Sequence, residues 1–440
     1  MKKYRVMIVS GFVLAAGIAY MLSSSSGVSA VEATDTEKIS PSLSLEEYMV
    51  SEERVNWSDS YCAKVAKSKG IQTEISEYES ALMEELLVSD TENTVCSPIN
   101  TYFALALLAE VTGGETRQQI LDVLNVKSID ALRSNIDALW KSNCVDTPAI
   151  KSLLANSVWL NNAVDYNRST LNRIAESYHA SSFEGTPGSK RMDRALRDWT
   201  DEKTGGLLSE YTKGMSLNED MVVELVSTVY LKAIWQDAFA PEATSKEVFH
   251  GASGDTAVDM MHATRTAHVY RTDNFAALEL DLTDSGSMYV LLPEEGVDVN
   301  ELAADRSVMA TILKEGSEDD LRLVNMSIPK FKVSSKLDLT DAIRALGITD
   351  ALDPAVSDYS PLTDELVGIC LDKAEHAAMI DVDEDGVTGA AYTELGMKVT
   401  SLMPEYEEVD FVVDRPFMFV ITGADGAVLF SGIERDPLEQ

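Results

Sequence analysis

Asp381-Val382-Asp383-Glu384-Asp385-Gly386 is the densest run of candidate ligands in this chain, in the D-x-D-x-D-G spacing that opens a calcium-binding loop. Such a loop closes on a bidentate Glu at its twelfth position, because the ion needs roughly six to eight oxygens. That position is Tyr392, and no helical pattern leads in, so calcium binding is not expected. Hydrolytic chemistry fares no better. There is no G-x-S-x-G elbow, and the five histidines (His179, His250, His262, His268, His376) stand in neither a nucleophile nor a zinc motif, so each is read as structural. Four cysteines (Cys62, Cys96, Cys144, Cys370) fit no C-x-x-C pattern. Three pairings are open to them, and buried free thiols are the simpler expectation. No metal, cofactor or enzymatic activity is expected.

Residues 386–404 carry a different signal. The segment is long for a connection between two strands, and loops of that length are functional or disordered. Its alternate residues Val387, Gly389, Ala391, Thr393, Leu395, Met397 and Val399 are all uncharged, whereas Thr388, Ala390, Tyr392, Glu394, Gly396, Lys398 and Thr400 hold both charges. Side chains alternate faces along a strand, so the segment can enter a sheet with one face buried and both charges outside. Chance plus a plain edge strand gives the same pattern, because charged residues make up only 25% of the chain.

Such a segment needs a sheet to receive it and helices to hold that sheet. Helical spacing runs over residues 75–87, 101–110, 116–124 and 129–140. Residues 101–110 are almost wholly apolar, which predicts a helix buried on all sides, started at Ser97-Pro98. Short β-branched or aromatic runs at 153–160, 222–231, 277–282, 288–292 and 325–332 predict strands. Residues 337–346 read as a helix ended by Gly347, and residues 377–382, 411–413, 417–422 and 428–432 as strands. Ala424-Asp425-Gly426 supplies hairpin chemistry between the last two. Helices first and strands later, with no repeat and no β–α alternation, predict an α+β domain.

The ends and the charge bound the setting. Lys2, Lys3 and Arg5 precede an apolar run over 6–22, then Val28-Ser29-Ala30 as a small-residue cleavage site. This predicts export, with cleavage after Ala30 favoured over a retained N-terminal anchor; either places the globular part outside the cytoplasm. Residues 31–71 are acidic, lack a sustained apolar period and read as a linker with one short helix. Lys+Arg 36 against Asp+Glu 73 gives a net charge of −37. A field that negative disfavours nucleic acid, acidic membranes and heparin-like polyanions as partners.

From Gln72 to Pro437 the chain resembles the serpins. Glu92-Asn93-Thr94-Val95-Cys96-Ser97-Pro98, followed by Leu105-Ala106-Leu107, is similar to the family's N-x-x-x-S-P approach to its second helix, and Gly113-Gly114-Glu115-Thr116 to the turn after it. Trp199 with Lys203-Thr204-Gly205-Gly206, then Val229-Tyr230-Leu231-Lys232 with Trp235 and Phe239, resemble two further signatures. Ile328-Pro329-Lys330-Phe331, Asp414-Arg415-Pro416-Phe417 and Leu429-Phe430-Ser431-Gly432 match three more, in order and at family spacing.

The resemblance implies a serpin fold: helices, a large mostly antiparallel sheet A, two smaller sheets and an exposed reactive-centre loop, in a domain over 72–440. It implies a monomeric suicide substrate, whose cut loop inserts into sheet A and traps a serine protease as a covalent acyl-enzyme. The hinge is Glu384, Asp385, Gly386, Val387, Thr388, Gly389, Ala390, Ala391, Tyr392 and Thr393. Val387, Gly389 and Tyr392 depart from the family's E-E-G-T-E-A-A-A-A-T, but no charge or proline falls on the inward set. Ser97, Ser227, Trp235 and His376 take the shutter and breach positions, with Ser227 replacing a family Asn. Counting from Gly386 places the reactive bond at Thr400-Ser401, with Lys398, Val399 and Leu402 as alternatives. A Val/Thr/Leu bait implies an elastase-like or subtilisin-like target; cleavage after Lys398 implies a trypsin-like one. Inhibition of a cysteine protease, or a non-inhibitory binding or storage role, are the alternatives.

Overall fold

The apolar helix expected near residue 101 spans Pro98–Val111, with Pro at its first turn and every residue but Ala104 buried. The computed structural model describes residues 28–437 except 35, 90, 315, 365–367 and 388–405. Among the described residues, the first seven helices are α1 (Leu45–Met49), α2 (Glu52–Leu87), α3 (Pro98–Val111), α4 (Gly114–Val123), α5 (Ile129–Asn143), α6 (Arg168–Tyr178) and α7 (Lys190–Lys203). The first strands are β1 (Ser29–Val31), β2 (Thr94–Cys96), β3 (Val145–Asp146), β4 (Ile150–Asn161), β5 (Ala180–Gly185) and β6 (Val223–Ile234). Next come β7 (Ser245–Gly251), β8 (Gly254–Arg271), β9 (Phe275–Asp281), β10 (Ser287–Pro293), β11 (Leu321–Pro329) and β12 (Phe331–Asp338). The last are β13 (Glu375–Val382), β14 (Gly386–Val387), β15 (Glu408–Val412), β16 (Phe417–Thr422) and β17 (Val428–Glu434).

The large sheet runs β1-β5-β4-β6-β14-β13-β12, with β3 on the flank of β4, and only β4 and β5 pair in parallel. The two smaller sheets expected from the resemblance are joined. β8 is long enough to pair with β7 and β11 along most of its length and with β9 at its end. Hydrogen bonding therefore runs continuously through nine strands, β15-β11-β8-β9-β10-β16-β17-β2 with β7 beside β8. β10, β16 and β17 are buried at every residue and form the dry centre of the molecule.

Residues 31–71 are not a linker. Ser29–Val31 pairs with β5 at the edge of the large sheet, and α2 begins at Glu52, capped by the Ser51 hydroxyl, and runs for 36 residues. Its inward stripe passes through Tyr61, Val65, Ser68, Gln72, Ile75, Glu79 and Leu82. That three-four spacing is helical, but Ser68, Gln72 and Glu79 interrupt its apolar character. Tyr48 Oη donates to Asp284 Oδ2 at 3.0 Å, and Arg54 reaches Asp284 Oδ1 at 2.8 Å, clasping the N-terminal segment to the β9–β10 turn. The predicted cleavage point after Ala30 falls inside β1.

The helix expected over 337–346 also shortens. Phe331, Val333 and Ser335 point in while Lys332, Ser334 and Lys336 point out, so β12 continues to Asp338 and only Thr340–Ala345 is helical. All four cysteines are free, as expected, but only Cys96 is buried, and Cys62 is exposed.

Candidate functional site

The acidic run over 381–386 ends β13, turns through Asp383, Glu384 and Asp385, and enters β14. Asp383 N donates to Gly386 O at 3.1 Å, and the Asp383 carboxylate accepts from Asp385 N and Gly386 N at 2.9 and 3.2 Å. This is the side-chain-closed turn that Asp favours, and it commits oxygens that a calcium loop would use. Glu384 takes Lys330 Nζ at 2.6 Å and Thr244 Oγ1 at 2.7 Å. Burial works against the Glu384 charge, but those hydrogen bonds outweigh it and hold the carboxyl below its ordinary value. Burial, reinforced by Asp383 and Glu384, lifts Asp385 above its own.

The turn delivers β14 between β6 and β13. Gly386 pairs with Ile234, and Val387 with Ala233 on one side and Val382 on the other. Gly386 is required there: a Cβ would collide with the Ala233 carbonyl oxygen. Trp235 anchors the junction, its Nε1 donating to Asp383 O at 2.9 Å and its amide to Asp385 O at 3.1 Å. Phe239 N donates to Glu384 O at 3.0 Å, and the Phe239 ring lies edge-on to Trp235 beneath the Arg265 guanidinium.

Away from this junction the sheet is divided. Among the described residues, the edge of β6 over 223–232 and the facing edge of β13 over 375–381 have no strand partner. Val223, Leu225, Val226 and Val229 on β6 are correspondingly only half-buried, unusual for strands inside a sheet. Behind the division, Ser97 N donates to His376 Nε2 at 2.9 Å and Ser97 Oγ to Leu429 O at 2.5 Å. Burial pushes the His376 imidazole down to about 4, consistent with the neutral ring that this acceptor role requires. Ser227 lies on β6 opposite Asn156 and makes no side-chain hydrogen bond among the described residues, so the Ser97–His376 link does not extend through it.

Of the expected site residues, the structure brings together Glu384, Asp385, Gly386, Val387 and Trp235 at one end of the division, and Ser97 with His376 behind it. Thr388, Gly389, Ala390, Ala391, Tyr392, Thr393, Lys398, Val399, Thr400, Ser401 and Leu402 lie outside the described residues. Sequence reading missed Thr244 and the role of Lys330. The latter was visible as part of Ile328-Pro329-Lys330-Phe331, but its partner is remote in sequence. The other histidines serve packing or surface contacts: His179 stacks on Trp140, His250 pairs with Asp255, and His262 bridges Glu247 and Ser327. His268 lies beside Glu279 and stacks on Tyr270.

A family model described as "Serpin (serine protease inhibitor)" matches residues 75–437. The chain is a serpin. It is 26% identical over 367 residues to Serpin-ZX of Arabidopsis thaliana, covering 80% of this chain and 94% of that one. The structure of tengpin, a thermophilic serpin, in its native state superposes with a TM-score of 0.72 at 23% identity, over 82% of this chain and 93% of that one. Human thyroxine-binding globulin complexed with thyroxine superposes at 0.71 and 20% identity, over 83% and 99%. These two likenesses speak to the fold. The family is one of protease inhibitors, yet its fold also occurs in a thyroxine-binding globulin.

Proposed function

We propose that this serpin is a single-use inhibitor of serine proteases and not an enzyme, and that it acts outside the cytoplasm. The observation that carries this reading is Gly386–Val387 seated between β6 and β13, whose facing edges beyond it have no strand partner among the described residues. Continuing the register of Val387 with Ala233 and Val382 sets Leu395 opposite Leu225, and Thr393 between Ser227 and His376. The uncharged set of the loop then faces the core on the side of Val387, while Glu394 and Lys398 face out. Each large apolar side chain gained stabilises by roughly 1.5–3 kcal/mol, and each new ladder hydrogen bond by about 1 kcal/mol. Insertion after cleavage is therefore downhill, and a protease attached to the cut end is carried with it.

The bait at Thr400-Ser401 supports an elastase-like or subtilisin-like target. A binding role like that of the thyroxine-binding globulin is less well supported, because such a role needs no charge-free inward face along residues 387–399. Export is supported by Lys2, Lys3, Arg5 and the apolar run over 6–22. Pairing of Ser29–Val31 with β5 supports retention of the N-terminal segment over cleavage after Ala30.

The test mixes the protein with an elastase, a subtilisin and a trypsin, followed by denaturing gels and mass spectrometry of the released peptide. The expected result is an SDS-stable complex with a peptide that starts at Ser401. Clean cleavage by all three without any complex would count against trapping.

A further inference from the structure

A cavity of about 400 Å³ lies beside the hinge junction, between the N-terminal segment and the ends of β3, β4 and β6. Lys38, Lys151 and Lys232 line it, with Tyr230, Ile39 and Ile234 among the remaining walls. Lys151 and Lys232 are direct cross-strand partners on β4 and β6. Like charges so placed repel each other. In a chain carrying −37, lysines have carboxylates in plenty to pair with, yet none of these three forms an ion pair among the described residues. The one acid in the lining, Asp146, is buried; it lies on β3 across from Lys151 and beside Lys38, but makes no direct ion pair with either among the described residues. Burial lifts its carboxyl above the ordinary value against the pull of Lys151 and Lys38. The cavity thus gathers three cations against one desolvated acid, walled by an aromatic ring and aliphatic side chains.

We propose that this cavity binds a compact organic anion, a phosphate or carboxylate head on a small apolar body. The head sits among Lys38, Lys151 and Lys232, where it relieves the repulsion between the two facing lysines. The body lies against Tyr230, Ile39 and Ile234. The volume falls within the range of small-molecule sites. Ile234 is also the strand partner of Gly386, so the ligand rests against the strand end that receives the hinge.

The inference stands apart from protease trapping, and its test needs no protease. Phenyl phosphate, octanoate and inorganic phosphate are titrated calorimetrically into the full chain. Phenyl phosphate and octanoate are expected to saturate one site, and inorganic phosphate, lacking the body, to bind at least about tenfold more weakly. The relative strength of the first two shows whether phosphate esters or carboxylates are preferred. K151Q/K232Q is expected to weaken binding by at least about tenfold. If that variant does not fold, the wild-type lysines are reductively methylated with carbon-13 and followed by NMR, where the resonances of Lys38, Lys151 and Lys232 should move together. Absence of saturable binding to wild type, unchanged affinity in the variant, or shifts confined to other lysines would each overturn the proposal.

Discussion

The two large sheets of this serpin are built from similar residues and reach opposite ends. In the nine-stranded sheet, β10, β16 and β17 are buried at every position, with Phe417, Phe419 and Val420 wholly excluded from solvent. In the eight-stranded sheet, the facing edges of β6 and β13 have no strand partner beyond β14 among the described residues, and the valines of β6 are half-exposed. An unpaired edge is ordinarily a liability. Placed inside a sheet and started by β14, it is, on the function proposed above, a reserve of pairing for the segment that follows Val387. Stability is thus concentrated in one sheet and withheld in the other.

The sharpest way to break this contrast is to charge the segment meant for the division. Thr393→Arg would set a guanidinium between Ser227 and His376, and burying an unpaired charge costs several kcal/mol. The yield of SDS-stable complex with a matched protease should fall at least about tenfold while loop cleavage continues; an undiminished yield would refute the register. Cleaving the loop of the wild-type protein should instead raise Tm by at least about 10 °C, read by circular dichroism, as ladder bonds and apolar contacts are gained. Phe419→Ala tests the other sheet: a loss of roughly 3–5 kcal/mol in chemical denaturation.

Titration refines the comparison. His376 is depressed to about 4 in the folded state against an ordinary value near 6.5, so the unfolded chain binds the extra proton between those limits. Its contribution is present above pH 6.5 and is lost as pH falls toward 4, at most about 3 kcal/mol. His376→Gln should flatten that limb of the stability curve. Burial lifts Glu79 and Glu434 to about 8, with the opposite sign: their contributions fade as pH rises from 4.5 through 8, and Glu79→Gln should flatten that side. The smallest effect is at the hinge, where Glu384→Gln weakens a partly exposed pair with Lys330 by about 1 kcal/mol or less.

How far the sequence revealed this depends on the range of the forces involved. α3 was legible because its residues are apolar throughout. α2 was hidden: of the polar residues on its inward face, Ser68 donates to carbonyls of its own helix, Gln72 donates to Glu79 two turns on, and Glu79 also accepts from the remote amide of Val428. β8 was hidden because its polar residues are matched across strands, as Thr264 is by Asn325. Ser97 and His376 were legible only through family resemblance, since 279 residues separate them. Lys330 and Glu384 stood in quoted motifs, but nothing local joins them.

The N-terminal clasp bears on where this protein can be trimmed. The family match begins at residue 75, where Ile75 is fully buried in the middle of a continuous helix. A chain cut at that boundary would lose Tyr61, Val65 and the Arg54–Asp284 tie, leaving a ragged half-helix against the core. The contacts that hold the N-terminal segment begin at the first strand, Ser29–Val31, well before any serpin signature appears.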